Sequence, residues 1–254
     1  MMTLASNTAW LTLPSLNPKA RLRLFCLPYA GGAATLFRAW PNMLPPDVEV
    51  VALQPPGRGM RLLEPAFTKL PALVEAAMEA IVPELDRPYA FFGHSMGAML
   101  SFELARALRR ERITGPARLF VSGRRAPQTP SDEPPSYNLP DEEFIEELRQ
   151  LNGTDPEVLE HPELMQLMLP LLRADFELVQ TYEYKPEPPL DCPISVYGGL
   201  EDFEEGQETL EAWREQTTAG FSLRMFPGDH FYLQKKGTQG LLLEALSREL
   251  DWML

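Results

Sequence analysis

The stretch Phe91–Leu100, FFGHSMGAML, is apolar on both sides of one hydroxyl, and two glycines flank that hydroxyl. The spacing Gly93-x-Ser95-x-Gly97 is one way for a chain to display a serine as a nucleophile. By itself it is weak: with glycine and serine each near ~7% of residues, it arises by chance in about one chain in ten of this length. Its position lifts it. The apolar run YAFFGH leads straight into it and a helical pattern leads straight out. The serine is therefore expected on a sharp strand–turn–helix corner, with glycines where side chains would collide. The N–H of Met96, first in that helix, would lie near the reacting oxygen.

A serine hydroxyl is a poor nucleophile without a base. The chain has three histidines. His94 adjoins Ser95 and is expected to point away into packing. His161, in EHPEL, reads as a solvated residue at a loop or helix start. His230, in FPGDHFYL, follows the last apolar run, where a loop opens at the same sheet edge as the corner; it is the base candidate. A carboxylate must orient that ring and stabilise its imidazolium form. The segment YGGLEDFEEG offers Glu201, Asp202, Glu204 and Glu205. Asp202 is favoured for its place after the glycine pair, with Glu201 open as competitor, and Asp229 is expected to point elsewhere. The order Ser95, Asp202, His230 is a known nucleophile–acid–histidine order. A further oxyanion donor is sought in LPYAGGAATLF, where Ala30, Gly31 and Gly32 let the backbone approach a substrate oxygen. In isolation that loop reads equally well as a strand terminator. Beside the other candidates, Ala30 and Met96 are the expected N–H donors.

These residues need a scaffold. RLRLFCLP (21–28), VEVVALQ (48–54), YAFFGH (89–94), RLFVSG (118–123), PISVYGG (193–199) and the weaker FSLRMFPG (221–228) read as strands, most of them without the polar alternation of a half-exposed sheet. Helical spacing covers 70–85, 96–112, 208–217 and 238–252. This alternation predicts an α/β fold: a mostly parallel central sheet flanked by helices. The chain reads as a single domain, 1–254, without internal repeats. Between the fourth and fifth listed strands lies an insertion, approximately 130–184. It opens with the Pro-rich PQTPSDEPPSYNLP, read as loop, continues with a helix from Asp141, and then meets Pro170, expected to break or kink a second helix. Insertions at the carboxyl edge of a parallel sheet often cover a binding crevice.

The composition narrows the partners. Across 254 residues, 44% are hydrophobic and 23% charged, enough for a substantial core. A net charge of −13 argues against nucleic acid or an anionic membrane as partner. Two cysteines, Cys26 and Cys192, make no disulfide framework or metal motif, and both are expected in buried strands. Nothing calls for a metal or cofactor. The start, MMTLASNTAWLTLP, lacks the basic and apolar regions of a signal peptide, and no stretch suits a bilayer span, so a cytoplasmic location is expected.

The segments LFCLPYAGG, LQPPGRGMR, FFGHSMGAM, LLRADFELVQTYEY, YGGLED and FPGDHFYL together resemble the type II thioesterases, the stand-alone editing partners of nonribosomal peptide and polyketide synthases. The resemblance runs from about Trp10 to the carboxyl terminus with the motifs in order. GHSMG is shared by many α/β-hydrolases, whereas PYAGG, PPGRG and LLRADF are more particular to this family. The resemblance implies an α/β-hydrolase fold with a mobile helical lid. It implies hydrolysis of acyl or aminoacyl thioesters from the phosphopantetheine arm of acyl or peptidyl carrier proteins. It puts the family's nucleophile, acid and base on Ser95, Asp202 and His230, and its oxyanion amides on Ala30 and Met96.

Within the insertion, Met165, Met168 and Leu172 are candidates to line an acyl chamber, since methionines adapt to varied shapes. A local basic area for docking an acidic carrier protein is sought at Arg124–Arg125 or Lys235–Lys236. A monomer is expected. Rival readings are a carboxylesterase or lipase acting on oxygen esters, a detached chain-releasing thioesterase, and a non-catalytic binding protein on the same scaffold.

Overall fold

The computed structural model describes residues 9–131, 133–153 and 156–254. Residues 1–8 of the amino-terminal stretch, and Asp132 in the Pro-rich segment, lie outside the described residues. The six apolar runs form β2 (Leu22–Leu27), β3 (Val48–Leu53), β4 (Tyr89–His94), β5 (Arg118–Ser122), β6 (Ile194–Gly199) and β7 (Phe221–Phe226). A further strand, β1 (Leu11–Thr12), is too short to leave a pattern in the sequence. The sheet order is β1-β3-β2-β4-β5-β6-β7, parallel throughout except for β1 against β3.

Strands β2, β3, β4 and β6 are buried at every position, which is why they are largely apolar without alternation; the charged exceptions, Arg23 of β2 and Glu49 of β3, pair with each other at 2.9 Å. Successive residues serve opposite faces. Phe25, Leu27 and Phe91 join one core layer, under α1 (Leu70–Ile81) and α2 (Met96–Arg110). Leu24, Cys26 and Phe92 join the other, with Phe37, Trp40 and the apolar face of α7 (Lys236–Asp251). Cys192 is also buried but sits in the bend before β6 rather than in a strand. Among the described residues no helix is long and apolar enough to cross a membrane.

Between β5 and β6 the Pro-rich segment is irregular and leads into α3 (Asp141–Leu151), α4 (Pro156–Glu160) and α5 (Pro162–Gln180). The acidic first turn of α3 suits the helix dipole. Phe144, Leu148, Met165 and Leu172 pack into a small core of their own. Pro170 does not break α5. Pro170 and Gln166, whose carbonyl loses its helical partner, are both exposed, while Met165, Leu171, Leu172 and Leu178 anchor the helix on either side. After β6 the expected 208–217 helix divides into α6 (Gln207–Glu211) and a 3-10 turn, Ala212–Gln216.

Because β3 and β4 lie on opposite sides of β2, the chain reverses its winding there, and the loops after β2 and β4 diverge at the carboxyl edge. Such switch points are where open α/β sheets bind ligands.

Candidate active site

Strand β4 ends at His94 and α2 begins at Met96, so Ser95 alone makes the corner. Its backbone has φ 54° and ψ −115°, a conformation that costs a non-glycine residue roughly 1–3 kcal/mol. The Ser95 N–H donates to Ser122 O at 2.8 Å, pinning the turn to β5. From Phe91 to Leu100 every residue is buried except Ser95. A Cβ on Gly93 would stand 2.1 Å from Gly97 O, and one on Gly97 2.1 Å from Leu27 O. Only glycine allows the corner to sit this close to β2.

The loop after β6 brings Asp202 under the loop after β7. His230 Nδ1 donates to Asp202 Oδ2 at 2.8 Å, and both residues are buried. Asp202 Oδ1 accepts the N–H groups of Glu204 and Glu205, each at 3.1 Å. With its Nδ1 proton given to the carboxylate, the ring keeps a lone pair on Nε2. Burial opposes charge on His230, but the hydrogen bond and charge of Asp202, helped by Glu204 and Glu205, outweigh it and hold the ring above the ordinary imidazole value. Burial likewise opposes charge on Asp202, yet His230 and the two backbone donors hold its carboxyl below the usual range. Glu201 is exposed, and Asp229 pairs with Lys235 at 2.8 Å, so neither meets the ring.

His94 packs as expected, but against the His230 ring itself, with ring centroids 5.1 Å apart. Its Nδ1 is 2.8 Å from Ser122 Oγ, which is 2.6 Å from the Tyr232 hydroxyl. Burial first, and then the neighbouring His230, push its pKa well below the ordinary value. His94 is thus a neutral neighbour that adds no charge beside the other ring. His161 is exposed at the start of α5, far in sequence from these groups and outside the cavity wall.

Ser95 and His230 both open onto a cavity of about 520 Å³, bounded on one side by Tyr29 and Ala30 and on another by Leu172 and Phe176 of α5. Met96 is the first residue of α2, so its N–H has no intrahelical acceptor. Among the described residues the Ala30 N–H donates to no protein acceptor, whereas its neighbours do: Gly31 to Asp175 at 2.7 Å and Gly32 to Tyr29 O at 2.9 Å. Of the three chamber candidates only Leu172 lines the cavity. Met165 and Met168 share the face of α5 that carries Leu172 but lie two turns and one turn nearer its amino end, where they pack with Phe144 and Leu148 inside the insertion.

Arg124 and Arg125 are not a free basic patch. They line the cavity wall and are drawn to the buried Glu205, at 3.9 and 3.0 Å. Burial raises the Glu205 pKa despite those two cations. Lys235 is exposed but already pairs with Asp229, and Lys236 is exposed beside it. Sequence reasoning passed over Arg58 and Asp175, a buried ion pair below the loop that carries Ala30. Its one signal was a charge amid apolar spacing, in each of two segments already singled out, PPGRG and LLRADF. Among the described residues no group of His, Cys, Asp or Glu side chains is gathered as a metal site requires.

A family model described as "Thioesterase domain" matches residues 22–250. The chain belongs to the thioesterase family. Gramicidin S biosynthesis protein GrsT of Aneurinibacillus migulanus is 45% identical over 254 residues, covering 100% of this chain and 98% of that protein. Two solved structures are similar throughout. The RedJ thioesterase from the prodiginine biosynthetic pathway in Streptomyces coelicolor is 39% identical with a TM-score of 0.88, over 98% of this chain and 96% of its own. The type II thioesterase BorB from the borrelidin biosynthetic cluster is 36% identical with a TM-score of 0.86, over 95% of this chain and 98% of its own. The parallel sheet with its flanking helices is the α/β-hydrolase fold of this family.

Proposed function

We propose that this protein is an editing thioesterase that frees acyl or aminoacyl groups from the phosphopantetheine arm of carrier proteins, through an acyl-enzyme on Ser95. The observation that carries the proposal is the Asp202–His230 hydrogen bond of 2.8 Å, sharing one cavity with a serine held at φ 54° in a thioesterase-family chain. His230 Nε2 takes the Ser95 proton as the oxygen attacks the thioester carbonyl. The Ala30 and Met96 N–H groups hold the developing oxyanion. As the C–S bond breaks, the imidazolium, stabilised by Asp202, protonates the departing pantetheine thiolate, which leaves as the thiol. Water, activated by the same ring, then releases the acid.

The mixed apolar and charged walls of the cavity suit acyl groups of varied polarity. In this proposal residues 1–254 act as one catalytic unit, and the helices within 130–184 serve as a lid. In the same proposal the enzyme is a cytoplasmic monomer, and relatives named for biosynthetic pathways support the editing role itself. The test is a panel of acyl-loaded carrier proteins set against p-nitrophenyl esters of the same acids, with Ser95→Ala as control. Preference for the carrier thioesters, lost in the control, is expected. Faster turnover of the oxygen esters would favour an esterase, and a cyclised product a chain-releasing enzyme.

A further inference from the structure

The loop bearing Ala30 is a turn whose shape depends on one peptide unit. Gly32 N–H donates to Tyr29 O at 2.9 Å, and Gly31 has φ +76°. A four-residue turn with positive φ at its third position is a type II turn. Types I and II differ by a flip of the central peptide, here the one joining Ala30 to Gly31. That flip changes ψ of Ala30 and the side on which the Gly31 N–H emerges. The N–H is taken by Asp175 Oδ2 at 2.7 Å. Asp175 stands on α5, in the insertion, and is buried.

Its carboxylate is held in turn. Arg58 Nη1 donates to Oδ2 and Nη2 to Oδ1, both at 2.8 Å, the two-pronged geometry that fixes a carboxylate in orientation as well as place. Arg58 Nη1 also reaches Gly32 O at 3.2 Å. Gln54 completes the frame: its Nε2 donates to Arg58 O, and its Oε1 accepts the Ala34 N–H, each at 2.8 Å. The turn is therefore gripped at Gly31, Gly32 and Ala34 by groups from α5 and from the loop after β3. Close packing allows little slack, since a Cβ on Gly31 would stand 2.6 Å from Leu172 Cδ2.

We propose that Asp175, oriented by Arg58, is a positioning residue for the oxyanion site: by holding the Gly31 N–H, with Arg58 on Gly32 O, it fixes the Tyr29–Gly32 turn against α5 and so the place from which the Ala30 N–H, on the Tyr29–Ala30 peptide, projects. This rests on the assignment of Ser95 as nucleophile and Ala30 as oxyanion donor. A buried ion pair adds little net stability on average, whereas an oxyanion donor displaced by a fraction of an ångström loses much of its effect. The pair links the covering helix to the catalytic edge of the sheet.

The experiment compares Asp175→Ala, Asp175→Asn and the charge-free double variant Arg58→Met/Asp175→Leu with the parent protein. It measures kcat and KM on an acyl-pantetheine thioester and inhibition by phenylboronic acid, whose tetrahedral adduct on serine needs the oxyanion donors. Asp175→Ala is expected to lower kcat about 30-fold, with KM within about threefold and the inhibition constant raised in step with the loss of kcat. Asp175→Asn keeps an oxygen for the Gly31 N–H and is expected to recover part of the loss. If Asp175→Ala does not fold, the double variant replaces it, because it leaves no buried charge unpaired and still removes the acceptor. Folded variants that keep kcat and boronate affinity within about twofold of the parent, with only a lower Tm, would reduce Asp175 to a structural residue and overturn the proposal. Ser95→Ala separates the two layers. If that variant still turns over thioester, the nucleophile assignment fails; if it is dead while Asp175→Ala is unimpaired, only the positioning role fails.

Discussion

Replacing Asp202 by Asn changes one heavy atom and should cost most of the activity, for a reason visible in how the carboxylate is held. Its Oδ1 accepts two backbone N–H groups, from Glu204 and Glu205, and its Oδ2 faces His230 Nδ1. In Asp202→Asn the amide oxygen must take the Oδ1 place, because an NH₂ there would oppose two donors. The NH₂ is then left facing Nδ1 and donates to it. The ring proton moves to Nε2, the nitrogen that has to accept from Ser95, so the base is lost in the resting tautomer. The variant also loses the charge that stabilises imidazolium. At roughly 4 Å between charge centres and an effective dielectric of about 20, that is about 4 kcal/mol, or close to 10³ in rate. With the tautomer effect the fall in kcat/KM should approach about 10⁴, the size seen for such a change in serine-hydrolase triads. The assay is hydrolysis of an acyl-pantetheine thioester across pH. The parent should reach half its maximal kcat/KM above about pH 6.5, since His230 must be neutral to act and is held above its ordinary value. Without Asp202, burial is opposed only by the more weakly acting Glu204 and Glu205, and the limb should move to lower pH. Activity within about tenfold of the parent, with the limb unmoved, would refute the tautomer argument.

Other outcomes follow from the same geometry. Glu201→Gln, at an exposed carboxylate, should leave kcat/KM within about twofold, and a large loss would reopen the choice of acid. Gly97→Ala sets a Cβ 2.1 Å from Leu27 O, a backbone contact that cannot swing away, so urea denaturation should reveal a loss of about 3 kcal/mol or more. The His230–Asp202 pair also ties stability to pH. With His230 raised, its contribution is complete below about pH 6.5 and is lost as pH rises through the higher folded value. With Asp202 lowered, its share is present above about pH 3.9 and is lost as pH falls through the depressed folded value. The Tm gap between the parent and His230→Gln should therefore narrow as pH rises above neutrality, and a constant gap would show that the pair is not linked to protonation.

Much of the scaffold was legible from residues alone, because doubly buried strands leave an unmistakable trace. No polar residue can be spared in β4 until the chain must turn, and the turn announces itself through Gly93 and Gly97. The same holds for the strand–helix alternation and for the order of Ser95, Asp202 and His230. Pro170 misled because a helix anchored on both sides and exposed at the proline can tolerate a missing N–H. β1 escaped notice because two residues carry no period.

Contacts across long sequence separations needed the folded chain. Choosing Asp202 over Glu201 depends on which carboxylate the loop after β6 turns inward, and alternation along a loop is not a reliable guide. The sorting of Met165 and Met168 from Leu172, which share one face of α5, depends on which turns of that helix reach the crevice. Arg58 and Asp175, 117 residues apart, were visible only as isolated charges in apolar company. Local patterns report the burial and turning of each segment, because those depend on nearby residues. Which buried charge meets which depends on how separate segments are packed, and that is settled when the insertion closes over the sheet.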